Sequence, residues 1–120
     1  MPSKEKVLFP KKLKIFETVY RIKYHNGLML WPVTRTHKEE TWVEGWTDFD
    51  TCTIHVNKKL PYTEVWNTIW HEVGHVVTYN MRSPFTEKQE ETIMNLFAIG
   101  CNTVIFDNLL KFDFNKIRKL

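Results

Sequence analysis

His71-Glu72-Val73-Gly74-His75 reads HExxH, two imidazoles four residues apart with a carboxylate between them. A helix turns about 100° per residue, so residues four apart share a face one turn from each other. Neutral imidazole nitrogens at that separation can grip one zinc ion. Glu72 is rotated away from the histidines yet stays beside the metal. There it can take a proton from a water and hand it on to a leaving group. Chance placement gives HExxH in roughly 2% of chains with this histidine and glutamate content, so the pattern is a specific one.

Two histidines do not complete a catalytic zinc site, which normally has three protein ligands and an open position. The third histidine of the HExxHxxGxxH signature is missing. Position 78 is Thr, and no histidine follows His75. The ligand must be an acid, or one of the earlier histidines. The downstream acids are Glu87, Glu90, Glu91, Asp107 and Asp113. Glu90 and Glu91 open a second helical stretch right after a short connection, and helices joined in this way pack together. Periodicity slightly favours Glu90, because Ile93, Met94 and Phe97 share its side. Glu91 lies on a more mixed stripe with Met94, Asn95 and Ala98.

The elements that must hold these groups follow from the pattern. Residues 13 to 24 are rich in β-branched and aromatic types. Tyr20, Ile22 and Tyr24 alternate with Val19, Arg21 and Lys23, which predicts one or two strands. Asn26-Gly27 marks a turn, residues 28 to 33 a short extended piece, and residues 34 to 40 a polar loop. Thr41 to Trp46 reads as a strand. Cys52, Ile54 and Val56 alternate with Thr51, Thr53 and His55 in a second, half-buried one. From Thr63, a candidate cap, the period changes. Val65, Trp66, Ile69, Val73, Val76 and Val77 recur at helical spacing and carry the motif. Gly74 weakens that helix, and its bare backbone would let another element approach between the two histidines. Thr86-Glu87-Lys88-Gln89 fits a capping box for a second helix ending near residues 106 to 108, with Ile93, Leu96, Phe97, Gly100, Cys101 and Val104 as its apolar face.

The 120 residues allow one domain with a modest core. The division expected is a basic arm over residues 1–11, a single domain over 12–110 and a basic tail over 111–120. Net charge is only +3, from 17 basic and 14 acidic residues. No recognisable nucleic-acid motif accompanies the basic ends, so a nucleic-acid partner is not expected. Cys52 and Cys101 are too far apart in sequence for a CxxC site and form no disulfide framework, which suits a cytoplasmic protein. The longest apolar run, Leu96 to Cys101, is far too short to span a membrane.

The chain resembles the ImmA/IrrE-like zinc metallopeptidases, in particular their short phage-encoded forms. Trp70-His71-Glu72-Val73-Gly74-His75 is similar to the family's HELGH core. Glu91-x-x-Met94-Asn95-Leu96-Phe97-Ala98 is similar to its ExxANxFA segment, with Met94 in place of Ala. The preceding strands, with Gly45-Trp46-Thr47-Asp48, come in a similar order. This resemblance implies that Glu91 is the third ligand, against the preference from periodicity for Glu90. It also implies Zn2+ as cofactor and a protein or peptide substrate held by backbone pairing along the strand before the active-site helix, with Thr53 and His55 on that edge.

The fold expected is α+β. A small antiparallel or mixed sheet packs on the HExxH helix and a second, C-terminal helix, as a minimal zincin-like core. The function expected is a zinc-dependent endopeptidase with His71, His75 and Glu91 as ligands and Glu72 as base. The alternative is a non-enzymatic interaction module that keeps the metal site.

Overall fold

A computed structural model describes residues 9–35, 37–82 and 84–107 of the chain. Six strands precede two helices: β1 (Lys12–Ile15), β2 (Thr18–His25), β3 (Met29–Trp31), β4 (Thr41–Val43), β5 (Gly45–Asp48), β6 (Thr53–Asn57), α1 (Tyr62–Asn80) and α2 (Glu87–Asp107). The fold is α+β, as expected. Most of the basic arm and the whole 111–120 tail lie outside the described residues, as does Ser83.

The main sheet has the order β1-β2-β6-β5, and β3 and β4 form a separate two-stranded ribbon. β1 and β2 form a hairpin whose two turn residues, Phe16 and Glu17, both have positive φ, as a tight primed turn needs. β2 runs parallel to β6, and β5 antiparallel to it. The sheet is therefore mixed. Parallel pairing needs a long crossover, and here the crossover contains β3, β4 and β5. The single strand expected over residues 41 to 46 is split at Glu44, whose carbonyl accepts from the Asn57 amide while its carboxylate accepts from the Asn57 side chain. The pieces on either side pair in different sheets.

Alternation along β2 and β6 decides which face meets α1. Tyr20, Ile22, Ile54 and Val56 turn inward onto Val65, Ile69 and Val76 of α1, and these seven form the buried core. Arg21 and Lys23 take the outer face. The arm is anchored at its end. Phe9 packs among Tyr24, Tyr62 and Trp66, and the Tyr24 hydroxyl donates to the Pro10 carbonyl at 2.5 Å. Residues 9 and 10, at the end of the expected arm, thus contact the folded domain.

α1 starts one residue before the expected cap. Pro61 holds the N-cap position with no side-chain cap bond, and its carbonyl accepts from Glu64 and Val65. Thr63 is already inside the first turn. α2 begins with the expected capping box. The Thr86 amide donates to the Gln89 side chain at 3.0 Å, and the Gln89 amide donates to the Thr86 hydroxyl at 3.2 Å. The face that α2 buries differs from the expected one. Met94 and Ala98 are buried, whereas Leu96, Phe97 and Val104 are exposed. Close approach selects the small Ala98 and the slender Met94 over the bulkier apolar stripe. Among the described residues, no helix is long and apolar enough to cross a membrane. Both cysteines are free thiols.

Candidate metal centre

His71 and His75 sit on one face of α1, one turn apart, with their Nε2 atoms 3.0 Å from each other. α2 crosses them with its first turns and presents Glu91 to both. One carboxylate oxygen is 3.1 Å from Nε2 of His71 and the other 2.8 Å from Nε2 of His75. One donor atom from each of the three residues lies within 4.8 Å of the other two. The structure therefore brings together His71, His75 and Glu91.

Glu90 is one residue away on α2 but on the other side of the His75 ring. Its Oε1 accepts from Nδ1 of His75 at 2.9 Å. It touches the histidine from behind and so is not placed as a third ligand. The two readings of the acids are thus divided by the structure: Glu91 faces the shared pole of the histidines, and Glu90 backs one of them.

Glu72 is buried at 5% exposure. The hydroxyl of Thr47, in β5, donates to its Oε1 at 2.8 Å. Burial pushes the Glu72 carboxyl pKa up; His75, His71 and the Thr47 hydrogen bond pull the other way, and Glu91 adds to the rise. For His75, burial opposes the charged ring, but the carboxylates of Glu91, Glu72 and Glu90 outweigh it and hold the pKa at about 9. The hydrogen bonds from His71 and His75 keep the Glu91 carboxyl well below its usual range.

The donor set could hold a metal ion. Donors about 2.0–2.1 Å from zinc stand roughly 3.3 Å apart along a tetrahedron's edge; the two Nε2 atoms here are 3.0 Å apart, and each lies within 3.1 Å of a different Glu91 oxygen. Two imidazoles and one carboxylate leave a fourth position, and the same N and O donors would also suit other divalent transition metals.

The group lies beside a cleft of about 410 Å³, lined by Thr47, Glu72, His75, Thr78, Glu90 and Glu91, with Trp31, Phe49, Tyr79, Arg82 and Glu87 around it. Phe49 and Tyr79 stack at 4.1 Å between ring centroids. Arg35 reaches Asp50 at 2.6 Å and the Tyr79 hydroxyl at 3.3 Å, tying its own backbone position to the end of α1.

Thr53 and His55 do not form a substrate edge. β6 is an inner strand, hydrogen-bonded to β2 on one side and β5 on the other. His55 lies on the face away from α1, stacked on Trp46 at 4.4 Å between centroids, with Nδ1 2.9 Å from Nε2 of His25. The outer strand beside the motif helix is β5. Sequence reasoning named no role for Thr47, Thr78, Trp31 or Phe49. Thr47 was within reach, because it lies in the Gly45–Asp48 segment already singled out. Trp31 and Phe49 carried no spacing signal. A comparison with family models, curated proteins and solved structures finds no match to the chain.

Proposed function

We propose that this protein is a zinc-dependent endopeptidase, with His71, His75 and Glu91 holding the metal and Glu72 as general base. The observation that carries this reading is the convergence of those three side chains beside a buried, hydrogen-bonded Glu72 at the wall of an open cleft. Zinc bound there would make a water more acidic and polarise a carbonyl. The chain's own residues supply the rest. Glu72 takes the proton of the attacking water and returns it to the departing amine, as a base held in place by Thr47 and raised in proton affinity by burial. Trp31, Phe49 and Tyr79 offer apolar surface to a peptide side chain. β5 offers an outer backbone edge for an extended substrate. The similarity of the motif helix and the Glu91–Ala98 segment to ImmA/IrrE-like metallopeptidases, on a minimal zincin-like core, agrees with this reading.

The test pairs metal content with cleavage of an unfolded protein substrate. Wild type should bind about one zinc per chain and cut the substrate. Glu91→Ala should lose the zinc. Glu72→Gln should keep it and lose cleavage by about 10²–10⁴-fold. Equal cleavage by wild type and Glu72→Gln would remove Glu72 from the reaction.

A further inference from the structure

Glu90 is the acid that periodicity slightly favours as a ligand, and the structure gives it other contacts. Its Oε1 is 2.9 Å from Nδ1 of His75 and 2.8 Å from the hydroxyl of Thr78. The Thr78 hydroxyl also lies 3.1 Å from the His75 carbonyl. A hydroxyl has one proton to donate. The shorter contact, to a carboxylate, is the stronger acceptor. Thr78 thus fixes the Glu90 oxygen, and that oxygen faces the His75 ring.

A carboxylate has no proton to give, so the proton in the Glu90–His75 bond must sit on Nδ1. In a neutral ring this leaves the lone pair on Nε2, the atom that faces His71 and Glu91. The hydrogen bond also stops the ring from rotating about its χ2 axis. Glu90 itself is well placed: its amide bonds the Thr86 carbonyl at 2.8 Å, within the turn locked by the Thr86–Gln89 capping box. Glu90 and Glu91, adjacent on α2, therefore hold opposite edges of the same imidazole.

We infer that Glu90 is a positioning residue, which sets the tautomer and orientation of His75 so that Nε2 is presented to the metal, with Thr78 steering Glu90. This rests on the zinc reading of the site above. A carboxylate behind a ligating histidine raises the ligand's basicity, and losing such a partner typically costs 10–100-fold in metal affinity.

The experiment measures zinc affinity by competition with a chromophoric chelator, and the His75 Nδ1–H by 1H–15N spectra of the zinc-loaded protein, where its signal survives exchange with water only if the proton is held in a hydrogen bond. Glu90→Ala should still bind one zinc at saturation, with Kd weakened about 10–100-fold and the Nδ1–H signal of His75 lost. Glu90→Gln keeps an oxygen acceptor and should recover most of the affinity and the signal. Thr78→Val should give a smaller loss. A role confined to packing α2 on α1 would lower the melting temperature of the metal-free protein and leave the His75 Nδ1–H signal in place; that result overturns the inference. So does a wild-type Kd in Glu90→Ala. If wild type binds zinc and Glu91→Ala does not, the metal site stands whatever the Glu90 variants do. If wild type takes up no zinc, the site and the inference fall together.

Discussion

Gly74 of α1 and Met94 of α2 are in direct contact: a Cβ on Gly74 would lie 2.1 Å from the Met94 sulfur, so the methionine side chain would have to move. This contact lies between the two histidines, three residues along α2 from Glu91. It sets how closely the helix carrying Glu91 approaches the helix carrying His71 and His75.

Gly74→Ala tests that contact. In an open helix the change would stabilise by about 1 kcal/mol through helix propensity. Here the methyl group collides with Met94, and overpacking of this kind costs about 1–3 kcal/mol. The clash should win, giving a lower denaturation midpoint and weaker zinc binding. Met94→Ala alone should also destabilise, by about 2–5 kcal/mol through the cavity it leaves. The double variant should be less damaged than the sum of the two, because the new methyl occupies vacated space. Strict additivity would show that the two residues do not share that space.

The same contact explains what could be read from the sequence and what could not. HExxH fixed His71 and His75 by spacing alone, and the Thr86–Gln89 box marked the start of α2. Gly74 could be flagged as a point of close approach, but nothing in the pattern named Met94 as its neighbour. Periodicity then leaned to Glu90 because large apolar residues share its side. The interface instead used Glu91, Met94 and Ala98, since close packing rewards small and slender side chains over hydrophobic bulk. The position of β6 was hidden for another reason. Alternation tells which residues of a strand face the core, but it does not tell whether the strand lies at an edge, because that depends on the parallel β2–β6 pairing across a long crossover.

The Thr47–Glu72 hydrogen bond should carry measurable free energy. Both residues are 5% exposed, so Thr47→Val leaves a buried carboxylate without its donor. That should cost about 1–3 kcal/mol in unfolding experiments on the metal-free protein. Glu72→Gln removes the buried charge and should be neutral or stabilising there. On the Glu72→Gln background, Thr47→Val should cost clearly less. An equal cost on both backgrounds would mean that Thr47 acts through something other than the carboxylate.

Zinc should stabilise the fold through the site that joins α1 to α2. A ligand present at about a thousand times its Kd adds about 4 kcal/mol to the folded state, which for a domain of this size corresponds to a rise in melting temperature of more than about 10 °C. Chelation should remove that gain in wild type. Glu91→Ala should melt at the same temperature with and without zinc. A zinc-dependent shift that survives Glu91→Ala would place the metal elsewhere.

The His25–His55 pair on the outer face of the sheet should make the metal-free protein sensitive to acid. Burial, His25 and Lys23 together depress the His55 pKa to about 4, against a small opposing effect of Asp48. Burial and Lys23 also lower that of His25. Both rings regain ordinary values near 6.5 on unfolding. Between those limits the unfolded chain binds more protons, so the stability from this pair is full above about pH 6.5 and lost as pH falls toward 4. His75 acts in a different window. Its raised pKa favours the fold below 6.5, and that contribution fades as pH rises toward 9. His55→Phe can preserve the stack on Trp46 while removing the titrating group. Urea midpoints at pH 7.5 and 4.5, measured with chelator present, should therefore fall less with acid in His55→Phe than in wild type. The difference should be on the order of 1 kcal/mol once solvent screening of a part-exposed ring is allowed for. Parallel pH profiles for the two proteins would show that the pair does not titrate with folding.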